Sequence, residues 1–479
     1  MMRFLVLVHR WMGIILCLFF AAWFLSGAVL IYHPFPSLSQ DERLTHRANV
    51  DYSKVSVSPR EAISAANITE PDRLRLIDRE GRPIYVLHSF NNTVFTIGGD
   101  DGIKLSPITN ELAGRIAERF LSKPMSRVDG PIEYDQWIVH QRFDTYRPFY
   151  RVHFKDTDKT VLYVSEHTGE VLQKTLKSER IWNYFGAVVH WVYPTVLRKN
   201  WALWDQTVWW ISLLGVVTTV AGLWLGASRL RIQKQANRFI ISSPFKGWLR
   251  AHHIMGIFIG VFVFTWMLSG WLSMDHGRIF SQPNPLPEQV SDYRGISITQ
   301  ASESVSTDAF KTIKDFKEAE IVAVGGRTFV LSKTKNGLKL YEPSANKSLS
   351  PTNLTAAQVT KAVKHAWPEA QVISAQQLEN NDFYGKLRSG SLPDSTLRIV
   401  LHDPAQTWVH INMENGKISS VMDRSRRVYR WLFNGLHSLD FPGLANHHPL
   451  WDIVILMLLT LGFVFSVIGV VIGWRRIFN

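Results

Sequence analysis

His9-Arg-Trp-Met-Gly-Ile14 and His252-His-Ile-Met-Gly-Ile257 each open an apolar stretch. Each stretch then closes on one motif, Trp23-Phe-Leu-Ser-Gly27 in the first and Trp266-Met-Leu-Ser-Gly270 in the second. Nine of the nineteen positions from His9 to Gly27 are identical to those 243 residues later. A run of ~20 apolar residues is long enough to cross a bilayer, so the repeated unit is a membrane unit. The repeat continues downstream with a slightly longer offset. Trp204-Asp205 returns as Trp451-Asp452, and Gly215, Gly222 and Gly226 return as Gly462, Gly469 and Gly473, all 247 residues on.

Four stretches meet the length test, at roughly 4–32, 204–226, 247–273 and 450–474. The first also fits a secretory signal by position. It is long for that purpose and lacks a clean small-x-small cleavage site, and its pattern returns deep in the chain where no signal can act. The expected fold is therefore an α-helical integral membrane protein, with four transmembrane helices from an internal duplication and two α+β modules. Its parts are a transmembrane helix (1–32), a first module (33–180), an interfacial helix with the second transmembrane helix (181–228) and a basic loop (229–246). A third transmembrane helix (247–274), a second module (275–427) and an interfacial helix with the fourth transmembrane helix (428–479) complete it.

The modules carry mixed signals. Val161-Leu-Tyr-Val-Ser-Glu-His-Thr-Gly-Glu-Val171 reads as two strands around Thr168-Gly169, and 408–418 repeats it around Asn415-Gly416, a strong hairpin signal. Residues 58–66 and 355–366 read as short amphipathic helices.

The chain has 479 residues, a net charge of +13, eighteen tryptophans and one cysteine. The basic excess forms no aromatic-interleaved groove and sits beside the spans, so it marks orientation rather than nucleic-acid binding. Between Gly226 and His253 lie Arg229, Arg231, Lys234, Arg238, Lys246 and Arg250 with no acid, and Arg475 and Arg476 follow the last span. By the positive-inside rule this loop and both termini are cytoplasmic. The modules then lie outside, in the periplasm of a bacterial inner membrane. Cys17 has no partner and no Cys-x-x-Cys-His motif occurs, so any haem would be held non-covalently, as a b type.

Imidazoles in or beside a bilayer are costly and point to function. His9 pairs with His252 and His33 with His276 across the repeat, and His190 pairs with His437. His9 and His33 are 24 residues apart, ~36 Å of helix against a ~30 Å hydrocarbon core, so one haem cannot use both. His9 with His252 is the expected inner pair of axial ligands, with His253 as an alternative to His252. On the outer side His190 with His437 ranks ahead of His33 with His276. A mixed pairing such as His33 with His190 would make two outer haems. Two haems b are expected in all, each saturated by two histidines and so carrying electrons rather than binding oxygen. Arg180 and Arg427, 247 residues apart just before the outer histidines, are candidates for the haem propionates. Gly13, Gly256 and Gly186, each four residues from a histidine, offer either room for a ring or close helix packing. His447 and His448 have no counterparts and read as surface residues. His140, His153 and His167 lack metal-ligand spacing.

In His9-Arg-Trp-Met-Gly13, in Thr168-Gly169-Glu-Val171 and in Trp431-Leu-Phe-Asn-Gly-Leu-His-Ser-Leu-Asp440, the chain resembles the PepSY-associated transmembrane family. That family includes bacterial inner-membrane ferric-siderophore reductases, and the resemblance covers essentially the whole chain. It implies a four-helix haem-binding core with PepSY modules facing the periplasm, and one-electron reduction of an external ferric complex. With no flavin or nicotinamide fold in the chain, the electrons are expected from a cytoplasmic reductase or from quinol. The acceptor is expected to be a periplasmic ferric siderophore, and the lipid bilayer is the remaining partner. The alternative is a non-enzymatic PepSY protein that inhibits a peptidase or senses a ligand. A transporter is disfavoured, because no span is broken near its centre.

Overall fold

The computed structural model of the chain describes residues 2–235, 238–282, 284–344, 348–388 and 390–478. Four helices are long and apolar enough to cross a membrane: span one (Met2–Tyr32), span two (Trp201–Ser228), span three (Gly247–Ser273) and span four (Leu450–Phe478). Their outer faces leave Phe4, Leu18, Trp224, Phe258 and Met457 uncovered, surface that only lipid can cover favourably. The protein is therefore a multi-pass membrane protein.

Span one packs chiefly on span four and span two on span three, and contacts of span three with span four and of span one with span two close the bundle. The repeated glycines sit at these crossings. A Cβ at Gly462 would lie 2.7 Å from the ring of Phe24, one at Gly473 3.3 Å from Ile14, and one at Gly215 3.1 Å from the sulfur of Met267. Close approach at small residues is how helices associate where lipid removes the hydrophobic drive. The basic loop folds as a hairpin of Arg231–Gln235 with Arg238–Ser242, and its residues 236 and 237 lie outside the described residues.

Each polar block follows one element order. A short capped helix (Pro59–Ala65, or Ile298–Glu303) leads into antiparallel strands, then a longer helix (Asn110–Leu121, or Ala356–Ala366), then a four-stranded sheet. Sequence explains the local choices. Ser58 and Glu61 form a reciprocal capping box, as do Thr355 and Gln358, satisfying backbone donors that the first helical turn leaves open. The hairpins expected at 161–171 and 408–418 turn on Gly169 (φ +72°) and Gly416 (φ +69°), a region open to glycine at no steric cost.

The blocks are not two separate bodies. Strand Arg73–Arg79 of the first pairs antiparallel with Glu318–Val324 of the second, with Arg75 opposite Glu320 and Ile77 opposite Glu318. One seven-stranded sheet results. Sequence reading missed this because cross-module pairing depends on charges that lie far apart in the chain. At the seam Glu318 accepts from Arg47 (2.7 Å) and Lys333 (2.7 Å), and Glu170 accepts from Arg47 (2.7 Å) and from both terminal nitrogens of Arg75 (2.8 Å each). Glu320 accepts from Arg73 (2.6 and 2.9 Å), Lys333 (3.0 Å) and Lys417. Arg75 and Glu318 are at most 1 % exposed. Buried ions are tolerated when they are paired and hydrogen-bonded; every carboxylate here has several cationic partners, while Arg75 Nε is buried without a hydrogen bond.

Burial alone would raise the three carboxyls. The pull of Arg75, Arg73 and their neighbours overrides it and holds all three well below the usual carboxylate range. Burial, followed by the positive charge of Arg75, pushes His88 down to about 4, and burial with Arg398 does the same to His410. These histidines fold neutral, whereas the unfolded chain protonates them near 6.5. Their contribution to stability is complete above that pH and is lost as pH falls toward 4. The glutamates add a further loss that starts as pH falls through 4.5, where the unfolded chain takes up protons that the folded carboxylates do not. Thermal melting of purified protein is expected to weaken progressively from pH 6.5 to 4, and His88→Gln to flatten part of that slope; a level profile would contradict this account. Glu318→Ala, which takes one of two carboxylate partners from each of Arg47, Arg75 and Lys333 and leaves the buried cluster with excess positive charge, is expected to destabilise the outer modules by about 3–5 kcal/mol, read as earlier proteolysis of the 33–427 region.

Candidate functional site

Span one begins with His9 and span three with His252, and the bundle brings the two rings to 6.2 Å between centroids. His9 Nδ1 lies 3.0 Å from the carbonyl of Thr218 in span two. A carbonyl can only accept, so Nδ1 carries the proton and Nε2 keeps its lone pair. Gly222 makes room for this ring, since a Cβ there would stand 2.6 Å from His9 Cε1. On the other side His252 stacks on Phe465 (4.7 Å) and lies 4.0 Å from where a Gly469 Cβ would be. The glycines beside the two histidines are thus themselves repeat partners. His252 Nδ1 is buried without a hydrogen bond. Both nitrogens of His253, by contrast, are engaged, by Ser243 Oγ (2.8 Å) and the Gly226 carbonyl (2.9 Å), so that ring is not free to bind anything else.

The outer pair forms where short helical segments fold back onto the bundle. His190 ends Ala187–His190 and His437 lies in Leu436–Ser438, the latter following a π-helical turn at Trp431–Gly435. The interfacial segment expected as one helix from 181 to 193 breaks at Gly186. A Cβ there would meet Val29 at 3.1 Å, so this glycine serves chain packing and not open space for a ring. Gly256 is likewise packed, against Phe465, whereas Gly13 has open space beside it.

The rings of His190 and His437 are 6.1 Å apart at 69°. Ser26 Oγ lies 3.2 Å from His190 Nδ1, and Ser269 Oγ 3.0 Å from His437 Nδ1. Each serine gives its own proton to a tryptophan carbonyl, Ser26 to Trp23 (3.1 Å) and Ser269 to Trp266 (3.0 Å). The serine oxygens therefore accept from Nδ1–H, and Nε2 is again the nitrogen with a free lone pair. One residue on, a Cβ at Gly27 would be 3.3 Å from His190 Cε1, and one at Gly270 3.8 Å from His437 Cε1. The repeated Trp-x-x-Ser-Gly motif is a seat for an imidazole: serine fixes the ring nitrogen and glycine admits the ring. The sequence displayed the motif twice but gave no sign of its target, which is some 165 residues away.

Both outer rings line a cavity of about 890 Å³ walled by Phe24, Trp266, Met267 and Trp451, within the range of small-molecule and cofactor sites. His33 and His276 are occupied elsewhere. His33 stacks on Trp182 (4.6 Å, 3°), while His276 stacks on Trp209 (4.8 Å, 5°) and hydrogen-bonds Asp205 at 2.5 Å. Arg180 donates to the carbonyls of Thr175 and Lys159, and Arg427 to those of Gln406 and Met422, so both pin their helices to the neighbouring sheet. The arginines that line the cavity are Arg198 and Arg388. Sequence reading passed over them because neither has a counterpart in the repeat. Among the described residues no three His, Cys, Asp or Glu side chains gather as a metal-binding group. Each pair offers two imidazoles and nothing more.

A family model for the PepSY-associated TM region matches residues 6–476, and a comparison with curated proteins returns no match. In a Cys17→Ser background, His190→Cys with His437→Cys is expected to be joined by a short bifunctional thiol reagent, and His33→Cys with His276→Cys to stay unjoined. Equal cross-linking of both pairs would contradict the outer-site geometry.

Proposed function

The chain belongs to the PepSY-associated transmembrane family, and from that premise we propose that it is a b-type haem oxidoreductase of a bacterial inner membrane. It takes electrons from a cytoplasmic reductase or from quinol and delivers them to a periplasmic acceptor of the ferric-siderophore type. The doubled element order is read as an internal duplication in which each half would supply one histidine to each haem. His9 and His252 hold the inner haem, and His190 and His437 the outer one.

The observation that carries this reading is the spacing of the rings. Two bonds of about 2 Å to one metal ion, plus the two ring radii, put imidazole centroids about 6 Å apart; the pairs stand at 6.2 and 6.1 Å. The donor chemistry fits as well. His9, His190 and His437 each have Nδ1 anchored and Nε2 free, the state in which imidazole ligates a metal. Two ligands per site suit a metal whose remaining positions are filled by a macrocycle. A bound haem would supply a one-electron couple with no open position for oxygen.

The chain's own contribution is orientation and exclusion of water. Ser26, Ser269 and the Thr218 carbonyl hold the rings against rotation. Phe20, Trp23, Phe24 and Trp266 occupy the spans between the two pairs and are at most 9 % exposed. The basic loop and the arginines after span four support a cytoplasmic inner pair, by the positive-inside rule. Reduction of a ferric chelate weakens the hold of hard oxygen donors on iron, which gives the outward electron its use.

Purified protein is expected to show a Soret band and sharp α and β bands on reduction. Alanine at His9 or His252 should remove one haem, and alanine at His190 or His437 the other, while alanine at His253, His33 or His276 should leave both. Colourless protein from haem-replete cells would refute this proposal and leave a peptidase inhibitor or sensor.

A further inference from the structure

Arg198 is 3 % exposed, and its Nε is buried without a hydrogen bond. Its guanidinium is walled by Tyr193 (5.1 Å), Trp201 (4.7 Å) and Trp204 (4.8 Å), with no carboxylate in ion-pair reach among the described residues. Aromatic faces attract a cation but do not neutralise it, and an unpaired buried charge is expensive. Arg198 lines the same cavity as His190 and His437, so the charge it lacks is available only from what that cavity holds.

A second arginine answers it across the repeat. Trp204 and Trp451 are counterparts 247 residues apart, and the guanidinium of Arg388 lies 3.4 Å from the ring centre of Trp451. Arg388 donates to His448 Nε2 (2.9 Å), whose Nδ1 faces Asp452 (2.5 Å), and its backbone N–H donates to Asp440 (3.1 Å), but among the described residues its guanidinium has no direct carboxylate partner. Asp440, the acidic residue in the cavity lining, faces Arg430 at 3.3 Å. The counterpart of Arg198 in sequence is Ala445. The two arginines come from unrelated positions yet stand over equivalent tryptophans. Haem carries two carboxylates on one edge of its ring, which is what two cations beside a twofold pair of histidines would meet.

We propose that Arg198 and Arg388 each bind one propionate of the outer haem, the role that sequence had suggested for Arg180 and Arg427. This rests on the haem reading above and names the contacts that select the ligand's acidic edge. A guanidinium can donate two parallel N–H···O bonds to one carboxylate, a strong and often bidentate pairing.

The test uses haem-depleted full-length protein in nanodiscs, titrated with haem and with haem dimethyl ester, in which both carboxylates are blocked. Wild type is expected to bind haem at the outer site on the order of tenfold or more tightly than the ester. Arg198→Gln and Arg388→Gln should each reduce that preference, and the double variant should abolish it. Arg198→Lys should restore part of it. The inner haem spectrum of each variant reports whether the bundle has folded. Removing positive charge should also lower the midpoint potential of the outer haem alone. Equal binding of haem and ester by wild type, with both sites filled, would overturn the arginine assignment and leave the haem reading standing. Protein that takes up neither compound would overturn both.

Discussion

A ring nitrogen buried among apolar helices has to find an acceptor, and that requirement organises the bundle. An unsatisfied donor away from water costs on the order of 1–3 kcal/mol, and three of the four paired imidazoles turn Nδ1 toward a main-chain or hydroxyl oxygen, His252 being the exception. For His9 that oxygen belongs to Thr218, for His190 to Ser26 and for His437 to Ser269. Satisfying one nitrogen frees the other. The glycines at 27 and 222 follow from the same need, since a side chain there would crowd the ring away from its acceptor.

The outer domain contributes through rigidity. His190 and His437 do not lie on the spans themselves. They sit on short segments tethered to the four-stranded sheets, to which Arg180 and Arg427 are hydrogen-bonded. Those sheets are held in one body by the strand pairing at Arg73–Arg79 and by the buried ions around Glu170, Glu318 and Glu320. The separation of the outer rings is thus set partly by salt links in the aqueous domain, well beyond the bundle.

What the sequence disclosed and what it concealed divide along the repeat. The four spans, the hairpins at Gly169 and Gly416, and the meeting of His9 with His252 were all legible, because hydrophobic period and recurring motifs mark them. Ranking His190 with His437 ahead of His33 with His276 needed the same signal, and the structure brings only the first two rings together. Arg198 and Arg388 carry no such mark: one stands where the other half has alanine, and the second comes from a loop. Gly186 and Gly13 illustrate a different limit. Both stand four residues from a histidine, yet one packs on Val29 and the other faces open space, and spacing along a helix does not say which neighbour arrives. The fusion of the two modules was hidden because Arg75 and Glu318 lie 243 residues apart.

The shared sheet has a consequence for how such a chain is made. When the first half has emerged from the ribosome, strand Arg73–Arg79 presents an unpaired edge whose Arg73 still awaits Glu320 from the second half. Exposed edges invite association with other chains, and the wait lasts for the synthesis of two further spans and their insertion. The halves therefore cannot be divided between genes without giving each an open seam. Synthesis of the second module completes the first.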